Sequence, residues 1–320
     1  MSVTPMRFTF PVVLFLANVA HAQTVDPAAV VSGVYPARLV ELAERSGVPA
    51  DRRQCFAVYD TRADGRPSTI IAAYTNGVTG AVRVLRESSP GAFGVVAEPV
   101  DLDFHGHQCE VEVIDFDHDG RSDIHISFSS NMNSVHWAFL WDGQNLTNVT
   151  PVTSGSVGSG WGSDFANGDF MDLDLDGRLE FVMRSVVGSE DGGVATGPDL
   201  VFALSGAAFV ETAPVVGVFV FERRSGAPQE DRFNFPLPSG AGGPFSVEIL
   251  NGDAGGASRV SSASVSLNGS EIAVPRDFSQ KQVRFQRSVE LQASNQLVAR
   301  LQGKPGSRIT VIVRSEAWSR

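Results

Sequence analysis

Asp115-Phe116-Asp117-His118-Asp119-Gly120-Arg121-Ser122-Asp123 places carboxylates at positions 1, 3, 5 and 9 of a nine-residue run, with glycine at position 6. Oxygen donors at that spacing suit a hard divalent cation. Calcium takes six to eight oxygens at about 2.3 to 2.6 Å, and a glycine at position 6 permits the turn that aims alternate carboxylates and the position-7 carbonyl, here that of Arg121, at one point. The flanks alternate with a period of two: Val111 and Val113 with Glu110 and Glu112 before the run, and Ile124, Ile126 and Phe128 with His125 and Ser127 after it. Such alternation predicts a strand on each side. An EF-hand would need helices there and a glutamate at position 12, which is Ile126.

The run recurs. Asp60 opens Asp-Thr-Arg-Ala-Asp-Gly-Arg-Pro-Ser and Asp172 opens Asp-Leu-Asp-Leu-Asp-Gly-Arg-Leu-Glu, at offsets of 55 and 57 residues from their neighbours. Each is followed by a strand-like segment, 69–74, 124–128 and 181–187. A second strand-like segment comes next, 82–85, 137–141 and 200–204, and then a glycine-containing turn. A fixed period of this size, each unit a small antiparallel sheet, predicts propeller blades or stacked β-repeats over residues 55–215.

These three units resemble the FG-GAP or VCBS-type repeats of secreted bacterial proteins, the repeat class of integrin α-chain β-propeller heads, in which a DxDxDGxxD loop between strands holds calcium. The resemblance implies one site from Asp115, Asp117, Asp119, the Arg121 carbonyl and Asp123, and a second from Asp172, Asp174, Asp176, the Arg178 carbonyl and Glu180. The first unit departs from the pattern, with Arg62 at position 3 and Ser68 at position 9, and its loop is expected to be metal-free. Three units are fewer than the four or more blades of a closed propeller, so open sheet edges are expected and must be covered.

Charge supports the cation reading. Residues 101–191 hold 17 Asp and Glu against three Arg, whereas the rest of the chain holds 19 acids and 22 bases. Four carboxylates crowded in one loop repel by up to about 4 kcal/mol per pair at an effective dielectric near 20. A bound cation removes that cost. The same acidity excludes a nucleic-acid partner, which would want a basic groove.

Residues 1–22 read as a secretory signal peptide: Arg7, an apolar run from Phe8 to Ala20, then Ala20-His21-Ala22 before Gln23. A membrane anchor is the competing reading, and no later stretch is long and apolar enough to span a bilayer. The mature protein is therefore expected to be secreted or periplasmic. In that setting Cys55 and Cys109, which stand at equivalent places in successive units, are expected to form a disulfide; two separately buried thiols are the alternative.

Residues 23–54 carry one short amphipathic helix candidate, from Pro36 to about Gly47. From 216 to 320 the pattern changes to about seven short strands separated by turn signals such as Asn251-Gly252-Asp253, Asn268-Gly269 and Gly303-Lys304-Pro305-Gly306. An immunoglobulin-like β-sandwich is the expectation there. This part also resembles a β-sandwich module of exported, repeat-bearing bacterial proteins, to which no chemistry attaches. The whole is expected to be all-β.

No catalytic constellation stands out. There is no GxSxG elbow, and the neighbouring carboxylates stand at cation spacing, not across a glycosidase cleft. Five of the six histidines fall between His105 and His136, but no second pair completes a zinc set. The leading expectation is a non-enzymatic calcium-binding protein that contacts a protein or surface ligand. Alternatives are a glycan-binding accessory module using Trp137 and Trp161 for stacking, and a metal-dependent hydrolase or lyase with His118 as its base.

Overall fold

The structure, a computed structural model, describes residues 54–61, 63, 67–75, 79–89, 92–98, 102–103, 108–129, 133–150, 161–164, 167–188, 194–225 and 229–318. The expected signal peptide, the 36–47 helix and the His105-Gly106-His107 segment lie outside these residues. What is described is all-β, in five antiparallel sheets, none of them closed.

Three sheets correspond to the three sequence units. The first comprises β1 (Gln54–Thr61), β2 (Pro67–Thr75), β3 (Thr79–Ser89) and β4 (Ala92–Ala97), with β5 (Leu102–Asp103) also paired to β3. The second comprises β6 (Gln108–Ile114), β7 (Asp123–Ser129), β8 (Asn133–Trp141), β9 (Leu146–Asn148) and β10 (Trp161–Asp164). The third is β11 (Asn167–Met171), β12 (Glu180–Gly188), β13 (Val194–Ser205) and β14 (Ala208–Glu211). In the second unit β9 and β10 share β8 end to end, pairing with 139–141 and 133–136 respectively. β4 and β5 divide β3 in the same manner. In all three units the run opened by Asp60, Asp115 or Asp172 links the first strand to the second. The predicted strand, loop and strand are thus present in each.

Apolar faces stack sheet on sheet. Ile71, Val82 and Val84 of the first sheet share a core with Ile126, Phe128 and Trp137 of the second. Phe116 and Ala138 share another with Phe181, Phe202 and Phe209 of the third. Val182 and Val201 meet Val218, Leu250 and Ile312 beyond the repeats. Cys55 on β1 is bonded to Cys109 on β6, with Cα atoms 5.7 Å apart. The disulfide expectation holds, and it joins the first strands of adjacent units.

The remaining two sheets form a sandwich. One orders β15 (Gly217–Glu222), β22 (Arg308–Trp318), β17 (Ala241–Asn251) and β20 (Arg284–Val289); the other orders β16 (Gln229–Pro236), β21 (Ser294–Gln302), β18 (Ser262–Leu267) and β19 (Ser270–Ala273). Val247, Ile249, Val311 and Val313 of one sheet face Val265, Leu267, Leu297, Ala299 and Leu301 of the other, all nearly or fully buried. The sandwich is as expected, but the immunoglobulin detail needs correction. An immunoglobulin domain of the seven-strand type sets its first two strands side by side in one sheet. Here there are eight strands, the first is paired with the last, and the first four alternate between sheets, which is the arrangement of a two-sheet jelly roll.

The eighth strand is β16, Gln-Glu-Asp-Arg-Phe-Asn-Phe-Pro. Its charged start and terminal proline argue against a strand by propensity, yet it sits at a sheet edge, where charge and proline guard against aberrant pairing. At the end of β17 Asn251 is fully buried. Its Nδ2 donates to the carbonyls of Val260, Ser279 and Gln282, each at 3.1 Å, and its Oδ1 accepts from Val260 N at 2.8 Å. Asn251 is a turn-binding residue, as its sequence setting suggests.

The disulfide closes a loop across a sequence separation of 54 residues. By loop-closure entropy its removal in a Cys55→Ser, Cys109→Ser double variant is expected to lower unfolding free energy by about 4 kcal/mol. A urea titration measures this, with the first and second repeats the most affected.

Candidate metal centres

The two complete runs adopt one conformation. Position 4 is left-handed in both, His118 at φ 59° and Leu175 at φ 64°, and so is the glycine at position 6, Gly120 at φ 87° and Gly177 at φ 94°. A left-handed non-glycine residue twice at the same loop position marks a specific turn, since such residues are uncommon.

The turn is tied by its own carboxylates. Asp115 accepts from Asp119 N at 3.2 Å through Oδ1 and from Gly120 N at 3.0 Å through Oδ2; Asp172 Oδ2 accepts from Gly177 N at 3.1 Å. Asp117 Oδ1 accepts from Asp119 N, and Asp174 Oδ1 from Asp176 N. Position 9 is the first residue of the following strand in both loops. Asp123 is buried, and its two oxygens accept from Phe116 N and Trp141 N, each at 3.1 Å. Glu180, also buried, accepts from Leu173 N at 2.7 Å.

Of the residues assigned to the first site, Asp115, Asp117 and Asp123 each bring one carboxylate oxygen within 4.8 Å of the others. Asp119 is exposed and outside this group, its Oδ1 accepting from Arg121 N at 2.7 Å. In the second site the group is Asp172, Asp174 and Asp176. Glu180 is the member outside it. Arg121 and Arg178 were assigned only through their carbonyls, and their side chains are exposed. In the first unit Asp60 is exposed and accepts from the Thr69 hydroxyl at 3.4 Å, while Arg62 and Asp64 lie outside the described residues.

The donor set fits a hard cation. All the grouped donors are carboxylate oxygens, the chemistry calcium prefers. Asp172 Oδ1 is buried and has no hydrogen-bond partner, an acceptor left over on a member of the second group. Burial, followed by the charges of Asp117 and Asp115, pushes Asp123 up to about 6. Burial likewise takes Glu180 to about 7, with Asp174, Asp172 and Asp176 adding to it. Asp172 is raised as well, first by burial and then by Asp174 and Asp176. Carboxyls that resist ionisation beside others of like charge are those a cation would relieve.

Each intact loop is also touched by the preceding unit at position 8. Tyr59 donates its hydroxyl to Ser122 O at 2.6 Å, and Leu179 N donates to Phe116 O at 2.9 Å. On its other side the second loop meets the sandwich, where Arg284 donates to Asp174 O at 3.3 Å. Sequence periodicity located the loops but carried no signal for these cross-unit bonds, which depend on how the sheets stack.

The residues behind the alternative functions are placed differently. Trp137 is fully buried between the first and second sheets and is unavailable for stacking on a sugar. Trp161 lies in β10. His118 is exposed on its loop with its ring against Gly177. His125 and His136 are buried and hydrogen-bonded at 3.1 Å, with Glu112 on His125 Nδ1 at 2.8 Å. Burial holds His136 well below the ordinary histidine value, with the charge of His125 adding to it. Phe170 and Phe181 flank the pair. The pair serves the joint between the second and third sheets.

No family model matches the chain, and no curated protein matches it. Among solved structures, a fructofuranosidase variant from Schwanniomyces occidentalis complexed with fructosylnystose superposes at TM-score 0.21 and 9% identity, covering 77% of this chain and 67% of its own. The Bombyx mori GH32 β-fructofuranosidase BmSUC1 gives 0.24 and 9%, covering 78% and 63%. The CBM51-2 and INT domains of Clostridium perfringens ZmpB, in complex with GlcNAc, give 0.19 and 12%, covering 65% and 40%. This chain thus spans about two thirds or less of the length of these structures. At such TM-scores the superpositions carry no argument about fold or function.

The raised carboxyls set the sign of a pH dependence. Glu180 holds its proton more tightly folded than unfolded, so its contribution to metal-free stability is complete below about pH 4.5 and is lost as pH rises through about 7. In chelator, Glu180→Gln is expected to melt higher than the natural chain at pH 8, with the difference closing towards pH 5. In excess calcium the order is expected to reverse at pH 8. Thermal melts at both pH values check it.

Proposed function

We propose that this is a non-enzymatic calcium-binding protein whose two metal loops stiffen a stack of β-repeats and the adjoining sandwich, so that the assembly presents a fixed surface to a protein or glycan ligand. The observation that carries the reading is the convergence of Asp115, Asp117 and Asp123, and of Asp172, Asp174 and Asp176, with Asp172 Oδ1 left buried and unbonded. Calcium would be held by these carboxylates, with Asp119, Glu180 and the Arg121 and Arg178 carbonyls at position 7 as further donors. What supports the FG-GAP or VCBS reading is that the two intact acidic runs each lie between the first and second strands of their unit.

Export is part of the proposal. A disulfide suits an oxidising compartment. Among the described residues no helix is long and apolar enough to cross a membrane.

For a site whose ligands are partly set by folding, binding and stability are linked: calcium at a hundred times its dissociation constant adds about 2.7 kcal/mol per site. Titration calorimetry on the natural chain is expected to show two calcium ions at dissociation constants of about 0.1 to 1 mM, the range of extracellular modules. Asp117→Ala and Asp174→Ala are each expected to remove one ion. Absence of heat together with an unchanged thermal midpoint would refute the calcium reading.

A further inference from the structure

We propose that the two metal loops are energetically coupled, so that calcium in one raises the affinity of the other. This rests on the calcium reading above and adds a regulatory property to it.

Three contacts join the loops. Phe116, position 2 of the first loop, donates its N–H to Asp123 Oδ2 at 3.1 Å and accepts from Leu179 N at 2.9 Å. Leu179 directly precedes Glu180, whose carboxylate is fixed to Leu173 N across the second loop. A ligand carboxylate of one site is therefore linked through a single residue to the backbone beside a carboxylate of the other. The Phe116 ring is fully buried and stacks on Phe170 at a centroid distance of 4.4 Å. Phe170 belongs to β11, the strand that runs into the second loop. Finally, the His118 ring lies on Gly177: a Cβ placed there would stand 3.0 Å from His118 Cδ2. Gly177 N in turn donates to Asp172 Oδ2, a member of the second group.

The physical consequence follows from what a cation does to the first loop. Drawing Asp115, Asp117 and Asp123 to one centre fixes Phe116 and His118, which are the residues in contact with Leu179, Phe170 and Gly177. The second loop then has less conformational freedom to lose when its own cation arrives, and its affinity rises without a change of ligand. Electrostatic repulsion between two bound dications opposes this, but it is reduced by the carboxylates that surround each. Coupling between binding sites is commonly 5- to 150-fold, and it is reciprocal.

The test is calorimetric titration of the full chain with calcium chloride. The natural protein is expected to bind two ions with positive cooperativity. Asp117→Ala and Asp174→Ala are each expected to bind the remaining ion about fivefold or more weakly than the natural chain does, by the same factor in both directions. His118→Gly, which keeps every ligand and the left-handed backbone, is expected to bind two ions with reduced cooperativity. Two independent sites in the natural chain, with unaltered affinity for the surviving ion in both single variants, overturn the coupling and leave the calcium reading intact. No binding by the natural chain overturns both. The isotherm of the natural chain decides the matter even if a variant fails to fold.

Discussion

Asp123 and Glu180 each stand where an acidic loop becomes a strand, and each spends a buried carboxylate on the backbone amide of its loop's second residue. That interaction ties the end of each loop back to its second residue. Asp123 closes its loop onto Phe116 and simultaneously reaches Trp141 at the end of β8, so the turn, the first two strands and the third strand of the unit share one anchor. Phe116, held by that anchor, is then able to fill the core between the second and third sheets. Charge–amide bonds of this kind are stronger than neutral ones, but here they keep a carboxylate away from water among others of its kind. The arrangement is strained electrostatically whenever these carboxyls are ionised together.

Seen along the chain, the units are joined by different means at successive junctions. The first and second share a disulfide, the Tyr59 bond to Ser122, and Arg86, which donates to Gly143 O at 2.6 Å and lies 6.0 Å from the Trp141 ring centroid. The second and third share aromatic packing and the His125–His136 pair. The third meets the sandwich through aliphatic side chains, with Asp199 accepting from Val218 N at 2.9 Å. Covalent, aromatic and aliphatic junctions follow one another, and an intact acidic loop lies beside each of the three.

Much of this was legible in the residues. Alternation around Asp115–Asp123 specified strands on both sides, and the 55- and 57-residue offsets specified three equivalent sheets. Equivalent placement of Cys55 and Cys109 led to their pairing. Other features were not accessible. β16 was missed because its charges and proline oppose a strand locally, while its place at an edge depends on the rest of the sandwich. Immunoglobulin and jelly-roll sandwiches have similar strand lengths and turns, and they differ in strand number and in which strands pair, the latter a non-local property. Trp137 looked available for a ligand because its neighbours His136 and Ala138 gave no sign that both faces of the second sheet are covered. The loops differ in which carboxylate stands apart, Asp119 in one and Glu180 in the other, although Asp119 and Asp176 make the same bond to the position-7 amide, and spacing alone does not reveal that difference.

β22 lies between β15 and β17, with Gly217 paired to Val313. During synthesis, therefore, the sheet that supports the third repeat lacks its central strand until the segment ending at Trp318 has emerged. Ile312 on that late strand also completes the apolar seam with Val182 and Val201. The ribosome delivers the repeats first, and Val218 and Leu250 follow them, but the seam over the third repeat is complete only when a strand made almost a hundred residues later takes its place between β15 and β17.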